Sequence, residues 1–248
     1  MQLESLSAEL RARPGWEAID LGFRFVRQWW RPLLRASAIG YLPICIGLGL
    51  LLWDQPVWTL VLWFWLKPIQ SRFALAVLAR SLFGAKPTFL ELLADAPATL
   101  TRDLLRGLTI GRLGPLRVVR LPVRQLEGLT GAHAAHRGRV LTQRGTGAVV
   151  GLALICGLFE QALILSALTA LIKLHGIVIL EVFAGDRFVS LFQSEWSMRV
   201  WQFSTLPVLA WSETLFAAGG FSTYLNRRIL LEGWDIELGF RRLAQRVG

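Results

Sequence analysis

The sequence is short of charge, cysteine and histidine, and each shortage excludes something. Only 18% of the 248 residues are Asp, Glu, Lys or Arg, whereas a soluble globular domain carries about a quarter. The two cysteines, Cys45 and Cys156, both fall inside apolar runs; they read as small buried hydrophobes rather than a disulfide or a metal pair. With three histidines there is little material for metal or general-base chemistry. His133 and His136 lie three apart with no Cys or paired carboxylate at ligand spacing, and His175, Glu181 and Asp186 are no better placed. HExxH, GxSxG, a P-loop and a GxGxxG opening a helix are all missing. The closest carboxylates, Asp235 and Glu237, lie on a charged tail, where a solvated face is the default. These gaps argue against an enzyme, a cofactor site and a metal site. No cleavable signal peptide is expected either. The first apolar run begins after Arg35 without a small-residue cleavage site, as in a retained signal-anchor.

What the chain does have is apolar sequence and basic charge. Hydrophobic residues make up 54%, with 11 Trp and a formal net charge of +10, and the mean hydropathy is +0.48. This is the composition of an integral membrane protein. A basic balance can also signal nucleic acid. Here the charge lies beside runs long enough to span lipid, so anionic headgroups are the simpler partner and no nucleic acid is expected.

The apolar runs divide the chain. Residues 1–13 are polar, with Leu3, Leu6 and Leu10 at helical spacing, and Pro14-Gly15 punctuates them. Trp16, Ile19, Phe23, Val26 and Trp30 then recur every three or four positions, with Glu17, Asp20, Arg24, Arg27 and Arg31 between them. That is the pattern of a helix lying in the interface, the alternative being a helix packed on the protein's own core. Residues 36–53 are eighteen without a charge, near the lower limit for crossing a bilayer. After the Asp54-Gln55-Pro56 turn, residues 57–83 read as one long second helix, kinked at Pro68, whose lower part emerges from the membrane. Residues 84–146 contain no spanning run. A helix starts at Pro87-Thr88 with Phe89, Leu90, Leu92 and Leu93 as its apolar face, and another at Pro97 with Leu100, Leu104 and Leu108. Residues 116–125, LRVVRLPVRQ, are extended in character, and 126–143 are helical in period. A third span over 148–172 contains Glu160. A connector (173–199) leads to a fourth span, 200–225, with Pro207, Glu213 and the Gly219-Gly220 pair, and 226–248 form a charged tail.

Sidedness follows from Lys and Arg counts. Residues 1–35 carry six against four acids, 67–146 thirteen against four, and 226–248 five against three, while 173–199 have three of each. The regions with the excess must share a side, so both termini and the central block are expected in the cytoplasm. Aromatics agree: Trp53, Trp58, Trp196 and Trp201 fall at the outer boundary, and Trp29, Trp30 and Tyr224 at the inner one. The expected architecture is all-α and polytopic, with about four transmembrane helices plus interfacial amphipathic helices. Its parts are residues 1–35, a first hairpin (36–83), a basic platform (84–146), a second helical pair (147–225) and the tail (226–248).

Ionisable residues inside the spans are the sharpest candidates. At ~1.5 Å per residue, Lys67 lies ~15 Å and Glu213 ~18 Å below the outer boundary, and Glu160 ~20 Å above the inner one. All three fall in the middle third of a ~30 Å core, where a lone charge costs at least ~2.5–3.5 kcal/mol. Pairing Lys67 with Glu160 or Glu213 offsets much of that. Arg72 is a fourth candidate, one turn further along. The group forms either an ion or substrate path or a buried pair that locks helix packing; a simply protonated glutamate is a third option. On the platform, Arg112, Arg117, Arg120, Arg124, Arg137, Arg139 and Arg144, with Glu127, offer a face for anionic lipid or an acidic protein partner at ~1 kcal/mol per basic residue near the surface. This platform exceeds what a mere connection needs.

Two resemblances bear on this. In LPVRQLEGLTGAHAAHRGRVLTQRG, Pro122, Val123, Leu126, Glu127, Gly128, Arg137, Arg139 and Gly145 precede the next span. The pattern resembles a loose group of multipass bacterial proteins that includes the membrane domain attached to some glycerophosphodiester phosphodiesterases. No phosphodiesterase catalytic domain accompanies it here. The tail AAGGFSTYLNRRILLEGWDIELGFRRLAQR, with WWRPLLRA and WLKPI, is similar to an uncharacterised family of bacterial inner-membrane proteins. That family tends to be encoded beside MoxR-type AAA+ ATPases and a membrane-bound transglutaminase-like protein. The resemblance implies a non-enzymatic scaffold or adaptor in an envelope-associated complex, in homo- or hetero-oligomeric form. A small oligomeric transporter using Lys67, Glu160 and Glu213 is the other expectation.

Overall fold

The structure, a computed structural model, describes residues 11–85, 87–101, 107–109, 112, 114–143, 146–174 and 195–233. Among them every regular element is a helix. In chain order these are α1 (Gly15–Gln28), α2 (Trp30–Ile39), α3 (Tyr41–Leu51), α4 (Pro56–Leu82), α5 (Phe89–Thr101), α6 (Arg117–Gln125), α7 (Gly131–Thr142), α8 (Thr146–Leu174) and α9 (Glu195–Glu232). The all-α expectation therefore holds. Two stretches are long and apolar enough to cross a membrane, Trp30–Leu51, which joins α2 and α3, and Thr146–Ala170 within α8.

The middle of the molecule is the pair α4 and α9, with α1, α6 and α8 packed around them. These central helices carry polar side chains on their shared seam. Gln70 Nε2 on α4 donates to Thr214 Oγ1 on α9 (2.8 Å) and to Ser37 Oγ on α2 (2.6 Å). Buried Thr205, Ser212, Ser222 and Thr223 line α9. The seam is satisfied at Gln70 Nε2 and leaves Gln70 Oε1 and Gln202 Nε2 buried without a hydrogen-bond partner. It also explains why α4 and α9 are less apolar than α8, where only 17% of the spanning window is buried and Leu154, Leu158 and Leu165 face outward.

Small residues let the outer helices approach α9. Gly22 of α1 lies against the backbone of Ala218, so that a Cβ there would sit 2.4 Å from the Ala218 carbonyl oxygen. Gly219 takes Leu152 of α8 and Gly220 takes Val118 of α6 at similar closeness. Three helices thus converge on one small-residue step of α9, where the missing side chains let backbones approach closely. Asn226 closes the α1–α9 contact: its Oδ1 accepts from the Arg13 amide and its Nδ2 donates to the Arg13 carbonyl, both at 2.8 Å.

Several sequence expectations change. The stripe read as interfacial is split. Ile19, Phe25 and Val26 of α1 are buried against the protein's own core, and Trp30 opens α2 instead of ending α1. The core alternative holds because Gly22 gives α1 a flat docking face. Residues 116–125, expected as extended, form α6: Val118, Val119, Pro122 and Val123 are buried on one side. Packing of that face overrides the β-branched preference. The separate helices expected from Thr88 and Pro97 merge, since Pro97 lies inside α5. The start of α5 is set by a capping box, Thr88 Oγ1 accepting from the Glu91 amide (3.3 Å) and Glu91 Oε2 from the Thr88 amide (3.0 Å). The helical period over 126–143 yields a helix only from Gly131, after a turn with Gly128 at φ 70°. The long second helix is one element through Pro68, from Pro56 to Leu82.

The close approach at Gly22 generates a test. Gly22→Leu pushes a side chain into the Ala218 backbone, and overpacking of this kind costs about 1–3 kcal/mol or more. We expect a lowered thermal midpoint in detergent. Gly157→Ala, at a helical position with open space around it, leaves the midpoint unchanged or raises it.

Candidate functional site

The charges expected at mid-depth meet. Lys67 of α4 reaches Glu160 of α8 at 2.5 Å and Glu213 of α9 at 3.6 Å. Both carboxylates are buried, 2% and 1% exposed. Two hydroxyls complete them: Ser71 Oγ donates to Glu213, and Ser212 Oγ donates to Glu160. Helical spacing accounts for the grouping. Ser71 follows Lys67 by one turn on α4, so both face α9. The Lys67 ammonium also lies 5.3 Å from the centre of the Phe64 ring.

A second cation enters from the basic segment. Arg117, expected on the cytoplasmic face, turns inward at the start of α6. Its Nη2 sits 2.8 Å and 2.9 Å from the two Glu213 oxygens, and its guanidinium stacks over Phe216 at 5.0 Å. The cluster therefore holds two cations and two carboxylates and is neutral as a unit. Opposed pairs with their remaining lone pairs met by hydroxyls are the arrangement that offsets the desolvation of four buried charges.

Arg112 also leaves the expected face. Pro68 has no N–H, so the Phe64 carbonyl lacks its partner within the helix. Arg112 supplies one: Nη2 donates to the Phe64 carbonyl (2.7 Å) and Nη1 to that of Trp65 (2.8 Å). The guanidinium stacks on both rings, 4.6 and 4.7 Å from their centres.

The other candidates separate. Arg72 is buried on the opposite side of α4, where Nη1 donates to the Thr99 carbonyl at 3.4 Å and the Arg72 carbonyl accepts from Gln125 Nε2 at 2.9 Å. Arg120 and Arg139 are exposed, as are His133 and His136, and Arg124 is half-buried beside Arg72. Arg144 and the residues of the outer connector from 175 to 194 lie outside the described residues. So do Asp235 and Glu237. Glu127 is a hub: it accepts from Tyr224 Oη (2.6 Å) and Arg137 Nε (3.2 Å). Arg137 continues to Glu232, which also takes Arg228 at 2.7 Å. Burial raises the Glu232 carboxyl, and hydrogen bonds from Arg228 and Arg137 outweigh it, holding the group below the usual carboxylate range.

Sequence reasoning missed the two serines and the partnering of Arg117. The signal for the first was position, since Ser71 lies four residues after Lys67 and Ser212 adjoins Glu213. For the second there was none, since Arg120 has the same helical spacing and stays exposed. Arg199 was also missed; it is buried, bonded to Gln202 Oε1 (2.9 Å) and stacked over Trp53 at 4.5 Å. Compared with protein-family models, curated proteins and solved structures, the chain matches none of them.

Charge parity governs the cluster. Lys67→Met leaves an extra buried carboxylate and is expected to lower stability by about 3–5 kcal/mol. Lys67→Met with Glu160→Gln removes one charge of each sign, keeps the Arg117–Glu213 pair, and regains most of the loss in thermal melts. At the Glu232 latch the folded pKa is depressed, so its stabilisation is present at neutral pH and lost as the pH falls through and below the ordinary carboxylate range. The destabilisation caused by Arg137→Gln at neutral pH shrinks in that acid window, read by the same melts.

Proposed function

We propose that the protein is a non-enzymatic, integral inner-membrane scaffold or adaptor subunit. It binds anionic lipid and protein partners through a basic cytoplasmic face. The observation that carries this reading is the neutral cluster of Lys67, Arg117, Glu160 and Glu213, in which each charge is paired with an opposite one on another helix. Such a cluster locks α4, α6, α8 and α9 into one block. A rigid block with exposed arginines and an outward apolar belt suits assembly better than turnover. In this reading α4 and α9 cross the membrane with the two more apolar stretches, giving four spans with both termini inside. Their polar seam is shielded by the outer helices. Arg112 and Arg117 then reach into the membrane region through their contacts with Phe64, Trp65 and Glu213.

The resemblance of the tail and of the WWRPLLRA and WLKPI segments points to a cytoplasmic AAA+ ATPase system as a partner. Gentle detergent extraction from the native host tests this. Co-purification of a cytoplasmic ATPase, lost in Arg120→Glu/Arg139→Glu, is the expected result, and a monomer free of partners contradicts it. The transporter reading retains one supporting observation, a single ammonium shared between two carboxylates. Flux in liposomes that disappears with Lys67→Met and with Glu213→Gln, while the fold persists, favours it over the scaffold.

A further inference from the structure

The first turn of α2 opens onto a cleft of 490 Å³. Arg31 and Arg35 of α2, Ser81 near the end of α4, and Thr88 and Phe89 where α5 begins all line it. The two arginines are four positions apart, so they share one side of the helix, and like charges at that spacing repel. Both are exposed. Among the described residues neither makes an ion pair: Arg31 stacks on Trp30, 5.4 Å from the ring centre, and Arg35 has no polar partner. The first turn of α2 carries neither an acidic residue nor a side-chain cap, so the helix end adds to the positive field. The described lining contains no Asp or Glu, and Glu91, three positions beyond Thr88, is turned to the Thr88 amide in the capping box.

Ser81 points to a ligand independently. Its side chain is 4% exposed and its Oγ has no hydrogen-bond partner. Serines inside helices commonly return the hydroxyl to a carbonyl one turn back, as Ser37 does to Leu33 and Ser222 to Gly219. Ser81 does not, and a buried hydroxyl left unmet costs free energy until a partner reaches it. The cleft thus sets two guanidinium forks beside one free hydroxyl donor. Such forks match phosphate oxygens in geometry and charge, and the volume lies within the range of small-ligand sites.

We propose that this cleft seats the phosphate of an anionic glycerophospholipid, with Arg31 and Arg35 on its oxygens and the Ser81 hydroxyl donating to a further one. The surroundings favour a lipid over a soluble phosphate ester. Trp30 and Phe89, which line the cleft, are themselves exposed, and so are Leu34 and Leu90 next to Arg35 and Phe89 in the chain. The cleft also lies at the start of Trp30–Leu51, a stretch able to cross a membrane, along which Ile46 and Leu50 are exposed. Acyl chains attached to a phosphate held here have that apolar surface to follow. The inference rests on the membrane reading above, in which this end of α2 meets the cytoplasmic leaflet, and adds a defined lipid site apart from the platform arginines.

The test uses the full chain, delipidated in detergent, with phosphatidylglycerol and phosphatidylcholine offered in equal amount and retention read by native mass spectrometry. Phosphatidylglycerol is retained preferentially. Arg35→Gln lowers that retention about tenfold, the effect of one charge-assisted hydrogen bond lost, and Arg31→Gln combined with Arg35→Gln abolishes the preference. Ser81→Ala also lowers retention, while the melting midpoint of the lipid-free protein stays the same or rises, because the hydroxyl has no bond to lose. A fall in that midpoint overturns the part given to Ser81. Arg24→Gln, exposed on α1 and outside the cleft, leaves retention unchanged. Melting curves of each variant establish that the fold persists. Retention that survives excess sn-glycerol 3-phosphate supports the lipid, and displacement by it overturns the lipid in favour of a soluble phosphate ester. Equal, small losses from Arg35→Gln and Arg139→Gln overturn the cleft while leaving a diffuse basic face in place, and no preference for phosphatidylglycerol overturns both.

Discussion

Everything about the interior depends on two carboxylates being neutralised where water does not reach. Glu160 and Glu213 sit on different helices and each needs a cation. Lys67 is shared, and Arg117 makes up the deficit. The requirement reaches beyond the pair itself. It draws the start of α6 inward, orients α4 so that Ser71 also faces α9, and sets α8 at the distance where Ser212 can serve Glu160. Apolar contacts alone fix helix register loosely, whereas opposite charges on four elements narrow it.

The outside follows a different rule. α8 turns apolar side chains away from the protein over most of its length and contributes mainly one charge inward. α9 does the reverse, with polar and small residues along its length and other helices on several sides. A polar seam thus runs through an otherwise apolar core, and α8 adds apolar side chains at the surface. The basic face completes this arrangement, with Arg120 and Arg139 left at the surface and Glu127, Arg137 and Glu232 tying α7 to the end of α9.

Much of this was legible in residue order. The all-α class, the long helix through Pro68 and the meeting of Lys67 with Glu160 and Glu213 follow from run lengths and depth counting. Charges placed at one depth in neighbouring helices have few places to go. The roles of Arg112 and Arg117 were not legible, because a basic block reads as surface when its counter-charges lie far away, 96 residues in the case of Arg117 and Glu213. α6 was misjudged for a related reason. Its valines have a strand-like preference, and only the presence of α9 and the gap at Gly220 makes a helix the better packing. The inward face of α1 likewise depended on what stood opposite Gly22.

The join between Arg112 and the carbonyls near Pro68 has a consequence for assembly in time. When α4 leaves the ribosome its Phe64 carbonyl has no partner, and the residue that will satisfy it is 48 positions away. The same interval separates a formed helix from a finished one. The first hairpin therefore remains provisional, with a vacant backbone acceptor and an uncompensated lysine, until the basic segment folds back and the later helices arrive. A chain arranged in this way completes its early part last.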